Sequence, residues 1–214
     1  MSLNQKKIFL KSEGNSWFDR NNQYIKTDSI DVAIIKKYTE GSGKKILEIG
    51  CSNGSKLSIF KGDNEGFGVD PSEKAIQEGN IAYPDLELVL GTCDDLDFQD
   101  NFFDVVVFGF CLYLVDRDLL FRTLSEADRV LKDKGFLIIT DFDTPLNIKK
   151  KYHHFDGVYS YKQQYENLFL SNPIYTLAEK KSFSHHGVDF HPDLDERVST
   201  VVLYKDINSA YVDF

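Results

Sequence analysis

Residues 44–54, Lys44-Lys45-Ile46-Leu47-Glu48-Ile49-Gly50-Cys51-Ser52-Asn53-Gly54, decide how this chain is read. Lys44 to Gly50 predicts a strand whose apolar run is interrupted by one carboxylate, Glu48. Gly50 and Gly54 then permit a tight turn and close approach of backbone to a ligand. Ser52-Asn53-Gly54 opens a helix that runs to about Phe60, and a helix start presents free N–H groups to an anion. A carboxylate within an apolar strand is costly unless paired or hydrogen-bonded. Beside a glycine turn, Glu48 either fixes the loop or meets an ammonium group of a ligand.

Outward from this unit the pattern repeats. Glu65–Asp70 predicts a second strand, with Pro71 at the following helix start. Leu86–Gly91 is a third, and Asp104–Phe108 a fourth, continuous and β-branched as befits a strand buried on both faces. Asp116 is expected to cap a helix carrying Leu120, Leu124, Ala127 and Leu131, with Gly135 as its stop and Phe136–Thr140 as a fifth strand. Strands alternating with helices predict βαβ units and parallel pairing. Beyond an insertion over 143–159, Ser160 and Gln163 form a capping box for a helix reaching Asn172-Pro173. Two further strands, 174–184 and 196–205, would add an antiparallel hairpin edge. The predicted fold is α/β: a doubly wound, mostly parallel seven-stranded sheet with an antiparallel C-terminal hairpin strand and helices on both faces. It forms a single domain, 1–214, with an N-terminal helical cap (1–43), a ligand-binding core (44–142), a substrate-side insertion and helix (143–175) and C-terminal strands (176–214).

Composition narrows the function. The 214 residues are 42% apolar, enough for a core without staples. A net charge of −9, from 25 basic and 34 acidic residues, lacks the footprint of a nucleic-acid binder. No apolar run is long enough to span a membrane, and the polar opening Met1–Lys7 is unlike a secretory signal. Cys51, Cys93 and Cys111 are an odd, scattered set, unsuited to a disulfide framework. A cytoplasmic protein is the default reading. Aromatic residues gather near the two ends, Trp17, Phe18 and Tyr24 early and Tyr152, Phe155, Tyr159, Tyr161 and Tyr165 late. They pack a core, or both ends close over one flat ligand.

Ligands of open α/β sheets bind beyond the carboxyl ends of the strands. Asp70 ends the second strand 20 positions after Gly50, the offset at which an acid accepts from a ribose hydroxyl pair. That combination points to a nucleoside-containing ligand. A dinucleotide fingerprint from Gly50 fails at Ser52 and Ser55, whereas Glu-x-Gly-x-Gly-x-Gly fails only at Ser52 and accounts for Glu48.

These residues resemble the class I S-adenosylmethionine-dependent methyltransferases, and the resemblance runs over about residues 44–142. Ile46–Gly54 is similar to their first motif, Phe67–Ser72 to the second, and Gly91–Phe98 with Asp100–Val106 to the third and fourth. Arg129–Lys132 with Gly135–Thr140 resembles the helix leading into their fifth strand. The resemblance implies S-adenosyl-L-methionine as cofactor, with Glu48, Gly50, Cys51, Ser52 and Gly54 along its methionine part. It places Asp70 on the ribose, Pro71 against adenine, Thr92, Cys93 and Asp94 at the adenine edge, and Phe108 and Gly109 on the sulfonium side. Three positions depart from the pattern: Ser52 replaces a glycine, Thr92 stands where an Asp or Asn often contacts adenine, and Asp97 replaces a proline. The opening from Phe9 to Asn21 is weakly similar to methyltransferases of sugar tailoring, which implies a small-molecule acceptor, a sugar or nucleotide-linked sugar.

Two other readings stand beside it. One is a catalytically silent module that binds the same cofactor or a nucleoside. The other is a serine hydrolase, because Gly50-Cys51-Ser52-Asn53-Gly54 is also Gly-x-Ser-x-Gly and Ser52, Asp141 and a later His follow in the right order. That reading leaves Glu48 and Asp70 without a purpose. His185, His186 and His191 lack the spacing of a metal site, and no metal is expected. If methyl transfer needs a base, the candidates are Asp141, His153 and His154. Arg20 and Lys149-Lys150-Lys151 are candidate phosphate contacts.

Overall fold

The computed structural model describes residues 4–187 and 189–211. The strand predicted at the outset is β1 (Ser42–Ile49), and it lies mid-sheet, parallel to β2 (Asp63–Asp70) on one side and β4 (Phe103–Gly109) on the other. With β3 (Leu86–Leu90), β5 (Leu131–Phe142), β8 (Tyr175–Ser184) and β9 (Arg197–Lys205), the sheet runs β3-β2-β1-β4-β5-β9-β8. The chain builds outward from β1 to β3, then returns to start β4 on the other side, so the direction of winding reverses at β1. A crevice opens at such a reversal. β9 is antiparallel to β5, and β8 to β9.

Alternation of side chains assigns the two faces. Leu47, Ile49, Val106 and Phe108 pack with Leu124 and Ala127 of α6 (Leu120–Val130). Ile46, Val105 and Val107 pack with Val32 and Ile35 of α3 (Ile30–Thr39) and Leu57 of α4 (Ser55–Phe60). Glu48 shares its parity with Ile46 and so faces α3 and α4. α5 (Glu73–Ala82) links β2 to β3. The N-terminal region is one helical rod of three stretches, α1 (Gln5–Ile8), a π-helical turn (Phe9–Glu13) and α2 (Gly14–Asn21), ahead of α3.

Three local expectations are corrected. Asp116 does not cap α6; its carboxylate accepts from the backbone N–H groups of Gln5 (3.1 Å) and Lys6 (2.9 Å), and so caps α1 across the fold. The stop at Gly135 comes too late. The helix ends at Val130 because fully buried Leu131 turns extended and pairs with Phe103 of β4. The capping box at Ser160 and Gln163 is instead β7 (Tyr159–Lys162), antiparallel to β6 (Ile148–Lys151). Buried Ser160 and Lys162 alternate with half-buried Tyr159 and Tyr161, a period of two that a helical reading overrides. The helix there shrinks to α7 (Glu166–Leu170).

Candidate active site

The turn after β1 closes on β2. Gly50 at φ +79° donates its N–H to the Val69 carbonyl (2.8 Å), and a Cβ there would lie 2.8 Å from that of Cys111. Ser52 also adopts a positive φ, +52°, and donates its N–H to one oxygen of Asp70 (2.8 Å). The other Asp70 oxygen accepts from the Ser72 N–H (2.8 Å). Ser72, not Asp70, caps α5, its hydroxyl accepting from the Ala75 N–H (3.1 Å). Asp70 is therefore a brace between the two strand tips that keeps lone pairs to spare, since a carboxylate accepts about four hydrogen bonds. Burial pushes it up to about 6, against the opposing pull of the Ser72 and Ser52 N–H groups.

A cleft of about 850 Å³, its open mouth included, lies beyond these tips. Gly50, Asp70 and Pro71 form one bank, Thr92, Cys93 and Asp94 the other, and Gly109 with Phe110 and Cys111 the end near β4. The helical rod contributes Lys6, Phe9, Gly14 and Trp17. Lys6 pairs with Asp94 at 2.8 Å. A Cβ on Gly14 would sit 3.0 Å from the Pro71 carbonyl oxygen, so the rod presses on the end of β2 at a point where only glycine leaves room.

The remaining expected residues lie outside the cleft lining. Glu48 is 3% exposed and sits behind its wall, with Oε1 2.8 Å from where a Cβ on Gly109 would be. Its Oε2 is buried without a hydrogen-bond partner. Burial pushes its carboxyl up to about 8, opposed by the Lys56 ammonium, which itself pairs with Asp31 at 2.5 Å. The Ser52 hydroxyl is likewise buried and unpartnered. Cys51 packs among the side chains of the α3–α4 face, Gly54 is the left-handed N-cap of α4 under Leu86 and Leu88, and Phe108 is fully buried beneath α6.

On the β4–β5 side, Asp141 is buried and away from the cleft lining. Its carboxylate accepts from the N–H groups of Phe142 (2.8 Å) and Tyr113 (3.2 Å), and burial pushes it up to about 7. It anchors the turn after β4. His153 lines a separate cavity with Tyr152 and Asp156 between the two ribbon strands, and His154 lies edge-on to Tyr152. Arg20 is taken up by Glu13 and Tyr152. Phe110 is the residue sequence reasoning missed: φ +60° turns it to the cleft, its N–H donates to Thr140 (3.0 Å), and its ring meets Tyr113, Phe142 and His185 within 5.1–5.2 Å. Nothing in the string Phe108-Gly109-Phe110 marks a left-handed turn at the third position. Strained backbone of this kind clusters at binding sites. Lys6 and Phe9 were missed too, while Trp17 was signalled by the aromatic bias of the N-terminal segment.

Sheet order, glycine turn and strand-tip acid are those expected of a class I S-adenosylmethionine-dependent methyltransferase, and residues 47–139 match the family model described as a methyltransferase domain. Among relatives, it is 34% identical to the demethylmenaquinone methyltransferase of Staphylococcus saprophyticus over 52% of this chain and 50% of that one. It is 28% identical to a ubiquinone/menaquinone biosynthesis C-methyltransferase of Geotalea daltonii over 75% of this chain and 73% of that one. The chain thus spans about half the length of the first of these. Its fold is that of the 1,6-didemethyltoxoflavin-N1-methyltransferase of Burkholderia thailandensis, solved with its named ligand and S-adenosylhomocysteine (TM-score 0.69, 13% identity, 96% of this chain and 92% of that one). No helix among the described residues is long and apolar enough to cross a membrane.

The residues present fit S-adenosylmethionine. A buried carboxylate with one oxygen unpartnered is destabilised as an ion, and a ligand ammonium is the group that relieves it. Glu48 behind Gly109 has that character, and Asp70 retains acceptor capacity for a diol.

Proposed function

We propose that this protein transfers a methyl group from S-adenosylmethionine to a flat, hydroxyl-bearing small molecule. Asp70 accepts from the ribose hydroxyls, Glu48 pairs with the ammonium end, and Pro71, Thr92, Cys93 and Asp94 enclose the adenine, with Lys6 closing the edge through Asp94. When bound, the cofactor supplies a methyl carbon on a positively charged sulfur that leaves neutral, so the protein need provide no acid. Its main task is to place the acceptor in line, an orientation effect worth about 7–11 kcal/mol. The aromatic wall of Phe110, Tyr113 and Phe142 next to Gly109 supports a flat acceptor, and the two relatives' names concern quinone methylation.

The observation that carries the reading is the buried carboxylate of Glu48, unpartnered behind Gly109 in the wall of the cleft that Asp70 lines. Calorimetry with S-adenosylhomocysteine and with NAD tests it. Binding of the first and not the second is expected; the reverse, or neither, overturns it. Binding without transfer of a labelled methyl group to any hydroxylated ring would favour the silent module. A sugar or nucleotide-linked sugar acceptor draws support from the β6–β7 ribbon, where the Lys149 ammonium lies 4.0 Å over the Tyr159 ring with Lys151 beside it. The hydrolase reading lacks its base: the Ser52 hydroxyl has no partner among the described residues, whereas a nucleophilic serine needs one within hydrogen-bond reach.

A further inference from the structure

The three base candidates read from sequence are engaged elsewhere, Asp141 by backbone N–H groups, His153 in a separate cavity and His154 against Tyr152, which leaves open what takes the acceptor's proton. The hairpin edge answers it. β8 ends at Ser184 beside Arg197, and β9 begins where Val198 pairs with Phe142 at the carboxyl end of β5. His185, the first residue past β8, therefore lies beyond the same edge of the sheet as the cleft, next to the Phe110 turn. Its ring lies 5.1 Å from Phe110 at 33°, and 6.2 Å from Phe142 at 21°, nearly stacked. Its backbone N–H is fixed to the Glu196 carbonyl (2.7 Å), while its two ring nitrogens have no hydrogen-bond partner among the described residues. An imidazole held by its backbone and by stacking, with both nitrogens free, on the ring that walls the cleft beside Gly109, is the arrangement a proton acceptor needs.

We propose that His185 is the base that takes the proton of the acceptor's hydroxyl group; this rests on the methyl-transfer reading above. The acceptor O–H bond breaks, the proton passes to the lone pair of a ring nitrogen, and the electron pair stays on the acceptor for attack. The resulting imidazolium returns its proton to water. The groups facing His185 are His186 on its own loop, Glu196 at the start of β9, Lys162 on β7 and Lys56 on α4. Desolvation first, then His186, Lys162 and Lys56, lower its pKa against the pull of Glu196, which favours the neutral ring at a residue that stays open to solvent.

The test uses two catechol probes, 2,3-dihydroxynaphthalene, protonated at neutral pH, and 4-nitrocatechol, largely ionised there, with labelled S-adenosylmethionine. His185→Gln is expected to lower kcat with the first about 100-fold, to abolish the acid limb of its pH profile, and to leave S-adenosylhomocysteine binding unchanged. With 4-nitrocatechol, which needs no base, the same variant should stay within about threefold of wild type. His191→Gln, further along the same loop, should match wild type with both. Equal losses with the two probes would mean that His185 only shapes the loop, and an intact acid limb would give the proton to another group; either overturns the proposal. Wild-type protein that binds S-adenosylhomocysteine yet methylates neither probe overturns it as well, while sparing the cofactor reading. Absence of that binding brings down the cofactor reading, and the role of His185 with it.

Discussion

The two banks of this molecule are built on different terms. The proposed cofactor side, from β1 to β4, is made of strand tips, glycine turns and acids a few residues apart in sequence, and its geometry is set by backbone hydrogen bonds such as those of Asp70. The proposed acceptor side draws on the N-terminal rod, the Phe110 turn, the β6–β7 ribbon and His185, with contacts spanning a hundred residues or more, such as Gln5 to Tyr159 and Tyr152 to Glu13. Local backbone chemistry makes a site that many sequences can carry with little change. Long-range side-chain contacts make one that each chain sets for itself.

The largest expected effect tests the first half of that contrast. Asp70→Ala removes the acceptor for two backbone N–H groups as well as for the ribose. At about 1.5–3 kcal/mol for a hydrogen bond to a charged group, affinity for S-adenosylhomocysteine should fall at least about 100-fold by calorimetry. A loss under threefold would place the ribose elsewhere.

Glu48→Gln is expected to weaken the same ligand about tenfold while stabilising the ligand-free protein, about 2–4 °C in Tm per kcal/mol. The sign follows from its raised pKa. Below the ordinary carboxylate range the group is protonated whether folded or not. As pH climbs from there to about 8, the unfolded chain releases a proton that the folded one retains, so wild-type stability declines across that window and levels off above it. The variant should shed most of this decline, keeping the smaller contributions of Asp70 and Asp141. Melting curves at pH 5 and pH 8 that fall in parallel for both proteins would show that Glu48 is solvated.

The smallest effect probes the second half. Asp116→Ala removes the cap that α1 borrows from the far side of the cleft, a change of about 0.5–2 kcal/mol. Ligand affinity should drop by about three- to tenfold, with Tm lowered by a few degrees. Trp17, the single tryptophan and part of the cleft, reports binding by its fluorescence. An unchanged affinity would separate the rod from the site.

The same contrast explains what could be read in advance. The five parallel strands, the hairpin edge and the Gly50 turn beside the strand-tip Asp70 were legible because each is written in a short stretch of sequence. Glu48 was legible as an anomaly, but not the face it occupies behind Gly109. Asp116 misled because a cap looks identical in sequence whether it serves the next helix or one 110 residues away. Ser160 misled because turn and cap residues overlap, and pairing with Ile148–Lys151 decided the outcome. Phe110 and His185 were beyond reach: one depends on an unfavourable φ, the other on where a hairpin ends.

The rod across the cleft is stitched to both banks, through Lys6 to Asp94 and through Asn15, whose side-chain oxygen accepts from Ser72 (2.9 Å) and the Lys74 N–H (3.0 Å). A ligand the size of adenosine that enters between the rod and the banks has to part these contacts first. Rapid-mixing traces should then level off at high ligand concentration, at the speed of the unlatching itself, and spent cofactor would leave no faster than that ceiling.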